Sequence, residues 1–241
     1  MKKVRTFLSF DFDFFTREDP MWDWGHDENW HISLKEAIWY RRYAAIDLYK
    51  ETNIMKYADF HPLGTYNRLH RLGYCVSKKT GVLVGDSHTG AYHHFKKFDK
   101  PELILHFDAH HDCFKREQLD CGSWLYHLYP EVPVVWVVPK WKEKDDLQKE
   151  SIGRKNVRVI TFEEIVTLGK CLITSAFIAR SSDWVPPHHD IDFMAMLAEI
   201  HLKGIEVTFD KVYERKFPTE SEAKNMYEEN EKMKEELRRG V

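Results

Sequence analysis

Three short stretches of this sequence carry side chains able to bind a metal ion, and each follows an apolar run. Leu103-Ile-Leu-His-Phe-Asp-Ala-His-His-Asp112 reads as a buried strand that runs into Asp108, His110 and Asp112. Residues two apart on an extended backbone face the same side, so these three converge if strand geometry persists past the strand's end. Ser9-Phe-Asp-Phe-Asp13 repeats the spacing, with Asp11 and Asp13 closing a strand expected over residues 4–12. Gly85-Asp-Ser-His88 follows the apolar residues 82–84 and adds His88. A lone Asp-x-His-x-Asp is read equally well as a strand and a polar turn. Three strand ends that each offer ligands favour a metal.

Asp11, Asp13, His88, Asp108, His110 and Asp112 amount to four carboxylates and two imidazoles without a thiolate. That is too many for one tetrahedral zinc. An oxygen-dominated set with some imidazole suits two octahedral ions, manganese being the natural choice, with zinc, iron and cobalt as alternatives. Two such cations about 3.5–4 Å apart make a nucleophile from water at neutral pH, which is hydrolytic machinery.

The elements that must position these residues are strands alternating with helical patterns. Strands are expected over 4–12, 82–85, 103–108, 134–138, 157–161, 171–179 and 205–209. Helices are expected from Ser33, read as an N-cap with Glu36 in a capping box, and over 66–72, 87–97, 140–150, 162–168 and 191–202, with a brief helical turn at Trp124, Leu125 and Leu128. This order implies a three-layer α/β/α domain around a mostly parallel sheet, where ligands gather at the carboxyl ends of the strands. A single domain over 1–241 is expected, with 219–240 an amphipathic C-terminal helix packed back on it.

With 36 basic against 39 acidic residues and a formal charge of -3, nothing points to nucleic acid as a partner. The four cysteines form no CxxC pair, which fits free thiols in a reducing, cytoplasmic setting. The apolar run near the N-terminus is broken by Ser9, Asp11 and Asp13, so neither a signal peptide nor a membrane span is expected.

Phe-Asp-Ala-His-His-Asp resembles the DAHxD motif of the arginase (ureohydrolase) family, and Ser9-Phe-Asp-Phe-Asp13 resembles its SxDxD motif. Gly85-Asp-Ser-His88 is similar to its GGDHS segment, with Asp-Ser-His in place of Asp-His-Ser. The resemblance implies an arginase-like fold and two Mn2+ ions. By motif position, His88, Asp108, Asp112 and Asp11 would hold one ion, and His110, Asp13, Asp108 and Asp11 the other. Two features depart from the family pattern. The SxDxD segment opens this chain instead of coming last, so the motif order is permuted, and the Asp-Pro that normally follows it appears only at Asp19-Pro20.

In ureohydrolases that act on free arginine, polar residues soon after DAHxD hold the substrate carboxylate, whereas Cys113-Phe114 stand here. The chain instead resembles the divergent branch that includes the peptide arginases, which convert arginine side chains in ribosomally made peptides to ornithine and urea. Trp22, Trp24 and Trp30 would line a groove for such a peptide, or fill a core. His127 is the candidate proton shuttle, with His111 and the pair His93-His94 as rivals. Asp183 is the candidate carboxylate for the guanidinium, with capping of the next turn as its ordinary role. Rival readings are hydrolysis of a small free guanidino compound, a deacetylase-like amidohydrolase, a phosphoesterase, and a binding protein with a degenerate metal site.

Overall fold

The computed structural model describes residues 3–16, 31–45, 61–142, 151–216 and 219–239. Its centre is an eight-stranded sheet: β1 (Val4–Asp11), β2 (Cys75–Val76), β3 (Val82–Gly85), β4 (Leu103–Phe107), β5 (Val134–Val138), β6 (Val157–Thr161), β7 (Cys171–Ala179) and β8 (Val207–Asp210). The strands lie in the order β6-β5-β4-β1-β7-β3-β8, with β2 beside β7, and every pairing is parallel. Helices α1 (Ile32–Ala45), α2 (Thr65–Arg71), α3 (Thr89–Phe95), α4 (Trp124–His127), α5 (Asp190–Leu202) and α6 (Glu220–Arg239) complete the three-layer α/β/α architecture. The first strand of the chain lies at the middle of the sheet, directly beside β4.

Strand alternation sorts side chains to the two faces. Phe7 of β1 and Ile104 of β4 join Ala91, Phe95 and Trp124 under α3 and α4. Leu8, Phe10, Leu105 and Phe107 instead meet Tyr66, Leu69, Phe193 and Met196 of α2 and α5. Ser9 and His106 therefore face the α3 side with Phe7 and Ile104. Burial on both faces makes these strands near-continuous apolar runs, as expected of a parallel sheet.

Several boundaries differ from the sequence reading for local reasons. The helix assigned to Ser33 begins at Ile32, because His31 supplies the cap: its carbonyl accepts from the Leu34 amide and its Nδ1 from the Ser33 amide at 3.3 Å. Residues 163–168 form a 3-10 segment that stops at Gly169, whose φ of 75° is in the left-handed region. β2 is only two residues long and carried no period to detect. Helix α6 packs along α1. The charged segment 140–150 lies mostly outside the described residues, as do Trp22, Trp24 and Trp30. No helix among the described residues is long and apolar enough to cross a membrane.

His94 on α3 is buried beside Ser175, with Nε2 2.9 Å from the serine hydroxyl, and burial together with nearby Lys97 pushes its pKa from 6.5 down to about 4. The unfolded chain therefore takes up a proton at a higher pH than the folded chain. The stability due to neutral His94 is complete above pH 6.5 and is lost as the pH falls towards 4, by about 3 kcal/mol in all. Thermal unfolding between pH 7 and 4 should show this loss, and His94→Gln should flatten it. An identical pH slope in that variant would refute the assignment.

Candidate metal centre

The central strands β4, β1, β7 and β3 end side by side, and their carboxyl ends carry the acidic and imidazole side chains. Asp11 closes β1, and the chain then turns through a 3-10 segment, Phe12–Phe15, whose first turn is fixed by the Asp13 amide donating to Asp11 Oδ1 at 3.0 Å. β4 stops at Phe107; beyond it the His110 amide donates to Asp108 Oδ1 at 2.7 Å, and Asp112 has a φ of 50°. Convergence thus comes from two tight turns, in place of the extended geometry expected from the spacing. The Ala109 amide donates to Asp13 Oδ1 at 3.3 Å and ties one turn to the other.

All six predicted ligands meet here. His88 Nδ1 stands 3.2 Å from Asp11 Oδ2 and 2.9 Å from both Asp108 Oδ2 and Asp112 Oδ2. His110 Nδ1 stands 3.0 Å from Asp13 Oδ2 and 3.4 Å from Asp108 Oδ1. Donor atoms about 2.1 Å from an octahedral ion are separated by about 3.0 Å along each edge, which is the spacing around His88 Nδ1. The donors form two groups, His88, His106, Asp108 and Asp112 in one and Asp13, Asp108 and His110 in the other, with Asp108 in both. The cluster can hold a metal ion.

Electrostatics support the fit. Burial, with Asp13 and Asp108 nearby, pushes the Asp11 carboxyl well above its ordinary value, and burial with Asp13 and Asp112 pushes Asp108 up to about 7. Burial works against the charged form of His88, but Asp11, Asp108 and Asp112 outweigh it and hold its pKa well above 6.5. A cage that traps a proton on Nδ1 among three carboxylates is better matched by a divalent cation. Asp13 Oδ2 and Asp108 Oδ2 are buried, and the nearest cationic partners among the described residues are the imidazole nitrogens of His110 and His88, which suits these oxygens as ligand atoms.

The surrounding residues set the orientation of the ligands. Ser9 Oγ lies 3.1 Å from His88 Nε2, which directs Nδ1 to the carboxylates. Trp124 donates its indole N–H to Asp112 Oδ2 at 2.6 Å, and Ser181 donates to Asp11 Oδ2. Ser181, with a φ of 53°, shares with Asp112 a left-handed backbone that a non-glycine residue adopts at some cost, and both touch the cluster. Asp86 sits just behind. Its burial is outweighed by Arg180, at 2.8 Å, and by Ser182, Arg215 and Lys35, which hold its carboxyl below the usual range. The ring of Phe177 fixes the β3–α3 corner that presents His88, since a Cβ on Gly85 would stand 2.6 Å from its Cζ.

The cluster opens into a cavity of about 140 Å3, whose wall includes Lys35, Phe114, Arg116, Asp183 and Trp184. Asp183 is therefore at the site, with a carboxylate oxygen 3.4 Å from Lys35 Nζ. Trp184 packs on His110 with ring centroids 5.4 Å apart. His127 is not brought to the cluster. It ends α4, which leads back towards the amino ends of the strands, and it lines a separate surface cavity with Pro130 and Asn156, just before β5 and β6. The rival histidines are engaged elsewhere: His111 Nε2 is 2.8 Å from Ser151 Oγ, His94 meets Ser175, and His93 lines a neighbouring cavity.

His106, Lys35, Asp86, Arg116 and Trp184 escaped the sequence reading. A histidine inside an otherwise apolar strand, two residues before Asp108, was the available signal for His106. Lys35 and Asp86 had none, because their roles depend on how α1 docks over β7. Comparison with known proteins returns no match: no family model, no curated protein and no solved structure is detectably similar to the chain.

Proposed function

We propose that this chain is a dimetal hydrolase of the arginase type that releases urea from the guanidinium group of an arginine side chain in a peptide, leaving ornithine. The observation that supports this reading is the presence of Asp108 in two adjoining donor groups built from three strand ends. His88, Asp11, Asp108 and Asp112 would hold one Mn2+, and His110, Asp13, Asp108 and Asp11 the other, a set rich in hard oxygen donors. When bound, the pair of cations supplies Lewis-acid activation of water near neutral pH.

The chain's own residues bind and orient the substrate. Asp183, held by Lys35, offers a carboxylate that can pair with a planar guanidinium through two parallel N–H···O bonds. The Trp184 indole beside His110 gives the cation a flat π face and keeps water from that side. Asp183→Asn should lower kcat/KM about 10- to 100-fold, the value of a hydrogen bond to a charged group, and leave the number of bound ions unchanged. Unchanged kcat/KM would remove Asp183 from substrate binding.

Peptide as substrate is favoured by the residues that follow Asp112: Cys113 is fully buried and Phe114 stands in the cavity wall, so neither serves as a polar anchor for a free carboxylate. Arg116 favours a second reading, a free guanidino acid. It also lines the cavity, over the Phe114 ring at 4.7 Å, where it can meet an anionic group. The test is urea release by the manganese-loaded protein from an arginine-containing peptide, free arginine and agmatine. Urea from the peptide alone supports the proposal, and urea from free arginine that is lost in Arg116→Ala supports the second reading. No urea from any of them, with ions bound, would refute both and direct the search to amides and phosphate esters.

A further inference from the structure

We propose that His106 is a positioning residue of the metal centre: its Nε2–H, donated to the His110 carbonyl, locks the turn that presents Asp108, His110 and Asp112. The inference rests on the metal-binding reading above. His106 is the one polar side chain of β4, and it is fully buried. Strand alternation puts it on the α3 side, between the His88 ring, with centroids 5.3 Å apart, and the Trp124 ring, at 5.6 Å edge-on. Its Nε2 is 3.2 Å from the His110 carbonyl oxygen. The same nitrogen is 3.3 Å from Asp108 Oδ2 and 3.8 Å from Asp112 Oδ2, so the N–H dipole also lies against two of the ligand carboxylates.

The other ring nitrogen argues for a role. His106 Nδ1 is buried with no hydrogen-bond partner among the described residues, a cost that a valine or leucine at this position in the strand would avoid. Neighbouring carbonyls of the turn are held as well: Trp136 donates to Asp108 O at 2.9 Å, Lys142 to Ala109 O, and the Leu125 amide to Asp112 O at 3.0 Å. His106 supplies the corresponding link for the carbonyl of residue 110. Without it, the carbonyl side of residue 110 loses this anchor to β4, and the spacing of the two donor groups is held less tightly. Outer-shell donors of this type are typically worth about 10- to 100-fold in metal affinity.

The amides of glutamine and asparagine separate the two nitrogens, because the glutamine amide nitrogen reaches the place of Nε2 and that of asparagine the place of Nδ1. The experiment is calorimetric Mn2+ titration of the full chain and of His106→Gln, His106→Asn and His106→Phe, with the metal-free unfolding midpoint of each as a separate report on the fold. Affinity should fall about 10- to 100-fold in His106→Asn and His106→Phe and stay close to the parent value in His106→Gln. Equal affinity in all four proteins would overturn the inference. Loss in His106→Gln as large as in His106→Phe would also overturn it, in favour of direct ligation through Nε2, and the visible spectrum of the Co2+-loaded variants would then show one nitrogen donor fewer. If His106→Phe does not fold, the Gln and Asn pair still decides. A parent protein that binds no Mn2+ would instead remove the metal reading itself.

Discussion

Asp108→Asn is expected to raise the unfolding midpoint of the metal-free protein and to abolish the upward shift that Mn2+ gives the parent chain. Both effects come from the same crowding. Without a cation, Asp108 is fully buried beside Asp13 and Asp112, and burial with these neighbours pushes its carboxyl up to about 7. A neutral amide removes that repulsion. It also removes a carboxylate that stands in both donor groups. An ion present at about 100 times its Kd stabilises the folded state by about 2.7 kcal/mol, so two ions give about 5 kcal/mol. For a chain of this length that corresponds to about 10–20 °C in the midpoint. Calorimetric melts with and without Mn2+ measure both quantities. A variant that keeps the parent's shift would show that Asp108 holds no ion.

Arg215→Met should be the most destabilising single change near the site. Arg215 is buried, with Nε 3.0 Å from Asp190 Oδ2, Nη2 bonded to Asp190 Oδ1, and Nη1 donating to the carbonyls of Ser182 at 2.9 Å and Val185 at 2.7 Å. Methionine fills similar volume but strips Asp190 of its main partner, removes the donor to the Val185 carbonyl and leaves the Ser182 carbonyl to the Trp39 indole. Breaking a buried pair in this way costs about 3–5 kcal/mol. The midpoint should drop by about 6–20 °C. Because the bonded carbonyls bracket Asp183, and Ser181 Oγ holds Asp11, substrate binding should weaken as well. A loss below about 1 kcal/mol in chemical denaturation would contradict the picture of Arg215 as the post that holds residues 181–185.

The His and Asp cluster was legible in the sequence because it is written in local spacing. Asp11 and Asp13, and Asp108, His110 and Asp112, are read at a separation of two, and the apolar runs before them mark strand ends. The same spacing misled about how the side chains meet, since an extended strand and a tight turn both bring such residues together. Here the Asp13 and His110 amides fold back on Asp11 and Asp108 to make turns. His127 follows Asp112 by 15 positions, and a separation along the chain does not carry direction. Helix α4 begins against Asp112, where the Leu125 amide meets its carbonyl, and runs away from the cluster. Lys35 and Asp86 lie 51 positions apart in the sequence and meet only because α1 lies over the ends of β3 and β7, with Trp39 Nε1 donating to the Ser182 carbonyl at 2.7 Å. Links of that kind have no local signature.

The central claim is a two-ion centre, and counting ions tests it most directly. The purified chain is stripped with chelator, loaded with Mn2+, freed of excess metal and weighed intact by native mass spectrometry beside Asp108→Asn. Two ions per chain in the parent, with loss of at least one in the variant, is the expected result. A parent chain that retains one ion or none under conditions where it is folded would contradict the dimetal account and the hydrolysis built on it.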